Sequence, residues 1–348
     1  MRLRPPSSAA RLESTPPRRV PRKVVRGNGR RTSSCLRRSK TWWTENGKTT
    51  ASSEHVMTVA ALPARAFTRV HYYLASIRVW ESLFALPFAY MGMVLAAGGW
   101  PRLSTFIWIT LAMAGARTLA MSANRYIHRE EDAANPRTSN RHLPKALLKP
   151  WEVVLMAVVG LGVFLFAASQ LTPLAFALAP VAAVYVVLYS YAKYHTWTCN
   201  LLLGWSLAIA PIGAWVAVTG TLEPQAVLLA FAVATWAGGF DILYTCSDYE
   251  FDGKYGIHSI PRRFGFKNAF HITRGLHFLS AVSLLALGLW MGLNYFYYIG
   301  WAFAVSLLVF ESGFLKPDDL SKLNAPFFKY NSGVSMLHLG FTILALVV

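Results

Sequence analysis

Charge is scarce in this 348-residue chain. Only 14% of its residues are Asp, Glu, Lys or Arg, against about 25% in an average soluble domain. Acids are the scarcer sign, 16 against 34 bases. Cysteine is almost missing: three thiols, Cys35, Cys199 and Cys246, stand far apart, which excludes a disulfide-stapled secreted scaffold. The basic excess is lopsided, with 17 Lys/Arg and 3 Glu in residues 1–78 but 17 and 13 in residues 79–348. The basic part lacks a foldable apolar pattern and the apolar part has little net charge, so a soluble basic nucleic-acid binder is excluded. Hydrophobic residues, by contrast, make up 54% of the chain. The composition is that of an integral protein of the lipid bilayer with a basic tail.

Residues 1–68 are rich in Arg, Pro and Ser and cannot bury enough apolar surface to offset their ordering entropy, so they are expected to be disordered. An Arg- and Ser-rich, acid-poor stretch also suits a cleavable targeting segment, or a polybasic tail drawn to anionic headgroups. The favoured reading is an upstream extension with the working start at Met57. Residues 69–348 read as one multi-spanning domain of the all-α membrane class. Nine apolar runs approach the ~20 residues that cross a bilayer, at about 83–100, 104–123, 152–169, 173–192, 200–219, 224–245, 276–293, 295–310 and 331–348. They predict a bundle of about nine transmembrane helices around a central cavity, with cap loops on the cytoplasmic side.

Orientation follows from the connections. Those after the odd-numbered runs hold a single base, Arg102, whereas the others are basic throughout. Arg125, Arg129, Arg137, Arg141, Lys145 and Lys149 follow the second run; Lys254, Arg262, Arg263, Lys267 and Arg274 follow the sixth; Lys316, Lys322 and Lys329 follow the eighth. The asymmetry predicts a cell (inner) membrane protein with these loops and the N-terminus cytoplasmic.

Ionisable residues in membrane helices are costly and mark function by default. Arg117, Asn124, His128 and Asp132 recur every four or seven residues, as do Asp241, Tyr244, Asp248 and Asp252 every three or four. At about 100° per residue, each set forms one stripe running to the cytoplasmic end of its helix. Asp132 precedes Asn135-Pro136 and Asp252 precedes Gly253, both helix stops. Carboxylates in a last turn face the negative end of the macrodipole and call for a cation. Clustered hard oxygens suit Mg²⁺, which shares carboxylates with substrate phosphates. Nearby Arg137, Arg141, Lys193 and Lys254 supply further phosphate contacts. Asp241 and Arg117 lie deeper, as a structural ion pair or in a direct role.

These residues resemble a known family. Asn124-x3-His128-x3-Asp132, with Asn135-Pro136-Arg137-Thr138 and Arg141-His142-Leu143-Pro144, is similar to the first signature of the UbiA-type aromatic prenyltransferases. Gly239-Phe240-Asp241-Ile242-Leu243-Tyr244, Asp248-Tyr249-Glu250-Phe251-Asp252 and Gly256-Ile257-His258-Ser259-Ile260-Pro261 resemble the second. The resemblance covers about residues 75–348 and is closest to the 4-hydroxybenzoate polyprenyltransferase-like branch, some of whose members are assigned to the futalosine route to menaquinone. Three positions depart from the pattern. His128 stands for an Asp, Lys193-Tyr194 for a basic pair, and Asn200 for a different polar residue. Glu131 is the nearby candidate to substitute, though one residue's step of about 100° turns it away from Asp132 on a helix.

The resemblance implies Mg²⁺-dependent transfer of a polyprenyl group from its diphosphate to an aromatic acid, of 4-hydroxybenzoate or dihydroxynaphthoate type, in ubiquinone or menaquinone biosynthesis. It assigns Asn124, Asp132, Asp248 and Asp252 to metal-bridged diphosphate. Arg137, Arg141, Lys193 and Lys254 go to phosphate charge, Tyr244 to cation–π stabilisation, and Asp241 with Arg117 to the acceptor or support of the stripe. The alternatives are a cation-coupled transporter, a catalytically weakened relative on account of His128, and a phosphatidyltransferase, whose Asp-Gly-x2-Ala-Arg arrangement is absent from Asp252-Gly253-Lys254-Tyr255-Gly256-Ile257.

Overall fold

A computed structural model describes residues 68–78, 82–314 and 325–348. The expected disordered tail, Met57, Lys316 and Lys322 lie outside these residues, as does the side chain of Lys329. The described chain is all-helical: α1 (68–76), α2 (Ser82–Ala97), α3 (Leu103–Ile127), α4 (Arg129–Ala134), α5 (Pro150–Ser169), α6 (Pro173–Leu188), α7 (Ala192–His195), α8 (Cys199–Thr219), α9 (Pro224–Thr245), α10 (Tyr249–Tyr255), α11 (Ile260–Trp290), α12 (Tyr295–Phe314) and α13 (Ala325–Val347). Single 3₁₀ turns at Tyr189–Tyr191 and Cys246–Asp248 bridge α6 to α7 and α9 to α10.

Among the described residues, six helical segments are long and apolar enough to cross a membrane, and three shorter apolar helices cover Leu86–Ala97, Tyr295–Glu311 and Asn331–Val347. Their outward faces carry large hydrophobics such as Phe166, Val181, Phe278 and Val309, all more than half exposed. An exterior of that kind is stable against lipid and not against water. Punctuation in the sequence sets the helix ends. Pro150, Pro173, Pro224 and Pro261 occupy first-turn positions, where the missing N–H is not needed. Gly220 ends α8 in the left-handed region at φ 75°.

The seventh apolar run is an underestimate. Helical structure in α11 begins at Ile260, sixteen residues before the run at 276, as two helices that meet at a kink at Gly265, φ 76°, ψ 169°. Arg262, Arg263, Lys267 and Arg274 are therefore helical rather than loop residues. Hydropathy reads contact with lipid, and a helix continues past the point where its surroundings turn polar.

Helix α9 is the axle of the bundle. It packs between α8 and α11 and is buried on nearly every side, as expected of a helix apolar all round. Trp215, Phe88, Leu287 and Trp236 form the central apolar cluster about it. Helix α2 joins α8 to α13, α13 lies on α12, and α3 lies on α5. The entrance to the domain is also tied down. Glu152 caps the Lys149 N–H at 2.6 Å, and accepts from Arg69 and Tyr73 of α1 at 3.0 and 3.2 Å.

Candidate active site

Both predicted stripes break where they leave the bundle. Helix α3 ends at Ile127, His128 takes φ −96°, ψ 16°, and α4 starts afresh. Helix α9 ends at Thr245 and passes through a 3₁₀ turn into α10. Helix α10 runs past Gly253 and stops at Gly256, φ 67°. Asp132 and Asp252 are thus first-turn residues of short helices, not last-turn residues of long ones, and the adverse-dipole argument does not apply to them.

The breaks nonetheless bring the two segments together. Asn124, Asp132, Asp241, Tyr244, Asp248 and Asp252 line one ionic pocket of about 210 Å³, with Arg137, Arg141 and Lys193. Below it lies a largely apolar chamber of about 600 Å³, walled by α3, α5, α6 and α8. The two share Asn124, Arg125, Arg141, Tyr189, Leu203, Asp241 and Tyr244. Arg117 lines the lower chamber, where its Nη2 donates to the Arg78 carbonyl at 3.1 Å. Lys254 is the exception: it is exposed and lines neither space. Helix α10 turns it outward.

The predicted metal carboxylates and the predicted phosphate cations hold each other. Arg141 Nη1 donates to both oxygens of Asp132 at 2.6 Å. Arg137 grips Asp248 through Nε, at 2.8 Å, and Nη2, and its Nη1 donates to Tyr244 Oη at 2.6 Å. The guanidinium also covers the Tyr244 ring, 4.9 Å from its centroid. Burial opposes the Arg137 charge, but the hydrogen bond to Asp248 and the proximity of Tyr244 outweigh it, holding the group above its ordinary range.

Several organising residues carried no predicted role. Asn135 Nδ2 donates to Asp248 Oδ1 at 3.0 Å while its Oδ1 accepts from the Arg137 N–H at 2.9 Å, so it orients both members of the clamp; the Asn-Pro pair signalled a turn and nothing more. Asn200, buried to 1% exposure, donates to Asp241 Oδ2 at 2.8 Å and Thr245 Oγ1 at 2.9 Å, and accepts from the Ile260 N–H at 3.1 Å. Asp241 therefore leans on Asn200. Ser190 Oγ accepts from Asn124 Nδ2 at 3.3 Å.

The donor set fits Mg²⁺ in kind: carboxylate and amide oxygens share the pocket, and one buried oxygen, Glu131 Oε2, has no hydrogen-bond partner. Among the described residues, no three carboxylate, imidazole or thiol groups stand close enough to hold an ion by themselves. Mg²⁺ commonly takes one or two carboxylates and completes its octahedron with phosphates and water.

His128 makes a different contact. Its Nδ1 lies 2.8 Å from Tyr194 Oη. Burial, reinforced by Lys193, Arg125 and Arg141, pushes the imidazole down to about 2, so it is neutral at any ordinary pH.

The fold and the site define a multi-pass helical membrane protein with an ionic pocket opening onto an apolar chamber. Residues 85–333 match the UbiA prenyltransferase family, and the chain belongs to that family of enzymes, which removes the transporter and phosphatidyltransferase readings. It is 30% identical over 240 residues to 4-hydroxybenzoate octaprenyltransferase of Vibrio cholerae, covering 68% of this chain and 81% of that one. To protoheme IX farnesyltransferase of Methylococcus capsulatus it is 29% identical over 202 residues, 57% of this chain and 64% of that one, so it spans just under two thirds of that relative. A solved UbiA homolog from Aeropyrum pernix K1 superposes with a TM-score of 0.69 at 26% identity, over 75% of this chain and 96% of that one. A UbiA homolog from Archaeoglobus fulgidus bound to GPP and Mg²⁺ shares the fold, with a TM-score of 0.62 at 20% identity over 80% and 100%.

Proposed function

We propose that the chain transfers a polyprenyl group from a polyprenyl diphosphate to an aromatic acid, of 4-hydroxybenzoate or dihydroxynaphthoate type, at the cytoplasmic face of the cell membrane. The reading has nine spans and Mg²⁺ dependence. One observation carries it: acidic segments more than a hundred residues apart meet in an ionic pocket that continues into an apolar chamber. A polyprenyl diphosphate has that same division, a dense anion on an apolar tail.

The residues have separable tasks. The apolar chamber takes the isoprenoid tail and excludes water from the reacting carbon. Arg137, Arg141 and Lys193 neutralise phosphate oxygens, the arginines by bidentate donation. In doing so they release Asp248 and Asp132, which with Asn124 and Asp252 would hold Mg²⁺. The ion, when bound, stabilises departing pyrophosphate as a Lewis acid. Once Arg137 turns to phosphate, its place over the Tyr244 ring is freed for an allylic cation to use. Asp241 borders both spaces, where the acceptor must meet the prenyl carbon, and Arg117 in the lower chamber supports that wall.

The test is incubation of membranes carrying the full chain with radiolabelled polyprenyl diphosphates and each acceptor, with and without Mg²⁺. Labelled prenylated acid formed only with Mg²⁺ is the expected result. Turnover that survives complete chelation removes the metal from the proposal; no product with any acceptor of either type removes the aromatic-acid assignment.

A further inference from the structure

Glu131 does not lie where helical spacing puts it. The restart of the helix after His128 swings it into the ionic pocket beside Asp132. Its Oε1 accepts from Tyr194 Oη at 2.7 Å. Its Oε2 is buried with no hydrogen-bond partner. Such an oxygen is costly and needs an explanation. Lys193 is close, but its ammonium lies over the Tyr194 ring, 5.4 Å from the centroid. Asp132 and Asp248 are both gripped by arginines, which leaves Glu131 Oε2 as a carboxylate oxygen of the pocket with nothing to displace.

Its orientation is built in. A tyrosine hydroxyl has one proton, and that of Tyr194 goes to Glu131. His128 Nδ1 lies 2.8 Å from the same hydroxyl oxygen, so the ring holds Tyr194 from the side opposite Glu131. Tyr194 is thus fixed between His128 and Glu131, and its hydroxyl proton is committed to the carboxylate. His128 and Tyr194 are two of the positions where the signatures depart from the family pattern. Here they touch each other, across 66 residues of sequence, and act on a third residue.

We propose that Glu131 is a ligand for the divalent cation that accompanies the prenyl diphosphate, with Tyr194 and His128 as its positioning residues. The inference rests on the prenyl diphosphate reading above and adds a carboxylate to the first acidic segment three residues after its histidine-for-aspartate exchange. Outer-shell partners of metal ligands are commonly worth ten- to a hundredfold in affinity, so both ends of the chain are measurable.

The experiment measures Mn²⁺ binding to the purified full chain in nanodiscs, by loss of the free-ion EPR signal. It is run with a slowly reacting thiodiphosphate analogue of farnesyl diphosphate present. Glu131→Gln is expected to raise the Mn²⁺ dissociation constant by at least about tenfold, and Tyr194→Phe by about tenfold. In both, the loss of kcat/KM for prenyl diphosphate shrinks as Mg²⁺ concentration is raised, a metal dependence that general damage to the pocket would not produce. Unmodified Mn²⁺ affinity in Glu131→Gln overturns the assignment. Should that variant not fold, unmodified affinity in Tyr194→Phe overturns it instead. If the unmodified chain itself binds no Mn²⁺ with the analogue, the metal-bridged diphosphate reading fails, whereas binding that ignores both substitutions sinks this inference alone.

Discussion

Arg137 reaches from the turn after α4 to clamp Asp248, 111 residues further along the chain. Together with Asn135 it fastens the first acidic segment to the second, and it presents the fork geometry that phosphate recognition also needs. Arg137→Ala removes the clamp and, with it, the phosphate contact proposed for this side chain. Losing one partner of a hydrogen-bonded charge pair at a binding surface costs about 2–5 kcal/mol. The expected result is a fall in kcat/KM for prenyl diphosphate of about 30-fold or more, with Arg137→Lys intermediate because it keeps the charge and loses the fork. Steady-state kinetics in membranes decide it; an unaltered kcat/KM in the alanine variant takes Arg137 out of the site.

Asp252 is 5% exposed and belongs to the set assigned to the metal. Asp252→Asn preserves shape and removes the charge, so prenyl transfer is expected to drop to background while the protein still inserts in the membrane. Asp248→Ala should do the same. The measurement is product formation against Mg²⁺ concentration, with the amount of inserted protein read from the membrane fraction. Normal turnover in both variants would sink the metal assignment.

The bundle was legible in the sequence because lipid imposes one demand, about 20 apolar residues per crossing, and hydropathy reads that demand directly. The residues of the ionic pocket were legible because charge is rare in such a chain. What was not legible was the path of the backbone between them. A stripe calculated at a constant 100° assumes an unbroken helix, so it turned Glu131 away from the pocket; Lys254 was drawn in by nearness in sequence alone, and Gly253 was read as a stop that falls instead at Gly256. The breaks at His128 and Cys246–Asp248 carry no Pro or Gly to announce them. Asn200 and Asn135 were missed for another reason: a buried amide's partners come from other helices, and spacing within one helix cannot reveal them.

His128 gives the site a pH signature. Its folded-state pKa is about 2, against about 6.5 for the unfolded chain. Below pH 6.5 the unfolded state takes up a proton that the folded state refuses, so stability contributed by the neutral imidazole is full above that pH and is lost as pH falls. The limiting slope is about 1.4 kcal/mol per pH unit. His128→Asn keeps a neutral hydrogen-bonding partner for Tyr194 and has nothing to titrate. Its loss of Tm between pH 7.5 and pH 5.5 should therefore be smaller than that of the unmodified chain, by thermal unfolding in detergent. Equal losses would mean that His128 is charged in the folded protein.

The geometry of the chamber depends on how closely α3 and α5 approach. A Cβ on Gly160 would lie 2.7 Å from the Leu119 backbone N and 2.9 Å from the Gly115 carbonyl oxygen. These are backbone atoms that cannot step aside, so the glycines set the separation of the two axes, as small residues do between membrane helices. Helix α3 leads into Asn124 and, past the break, Asp132, while α5 supplies Phe164 and Ala168 to the chamber wall. Gly160→Val must push the helices apart, at about 1–3 kcal/mol or more for overpacking. Gly162, two residues along, faces open space, and Gly162→Val supplies the control. Gly160→Val should lower Tm and raise the KM for a long prenyl diphosphate more than for a short one, because the tail and not the diphosphate feels the altered wall. A Gly160→Val chain that matches the control in both measurements would show that this helix pair does not shape the tail's chamber.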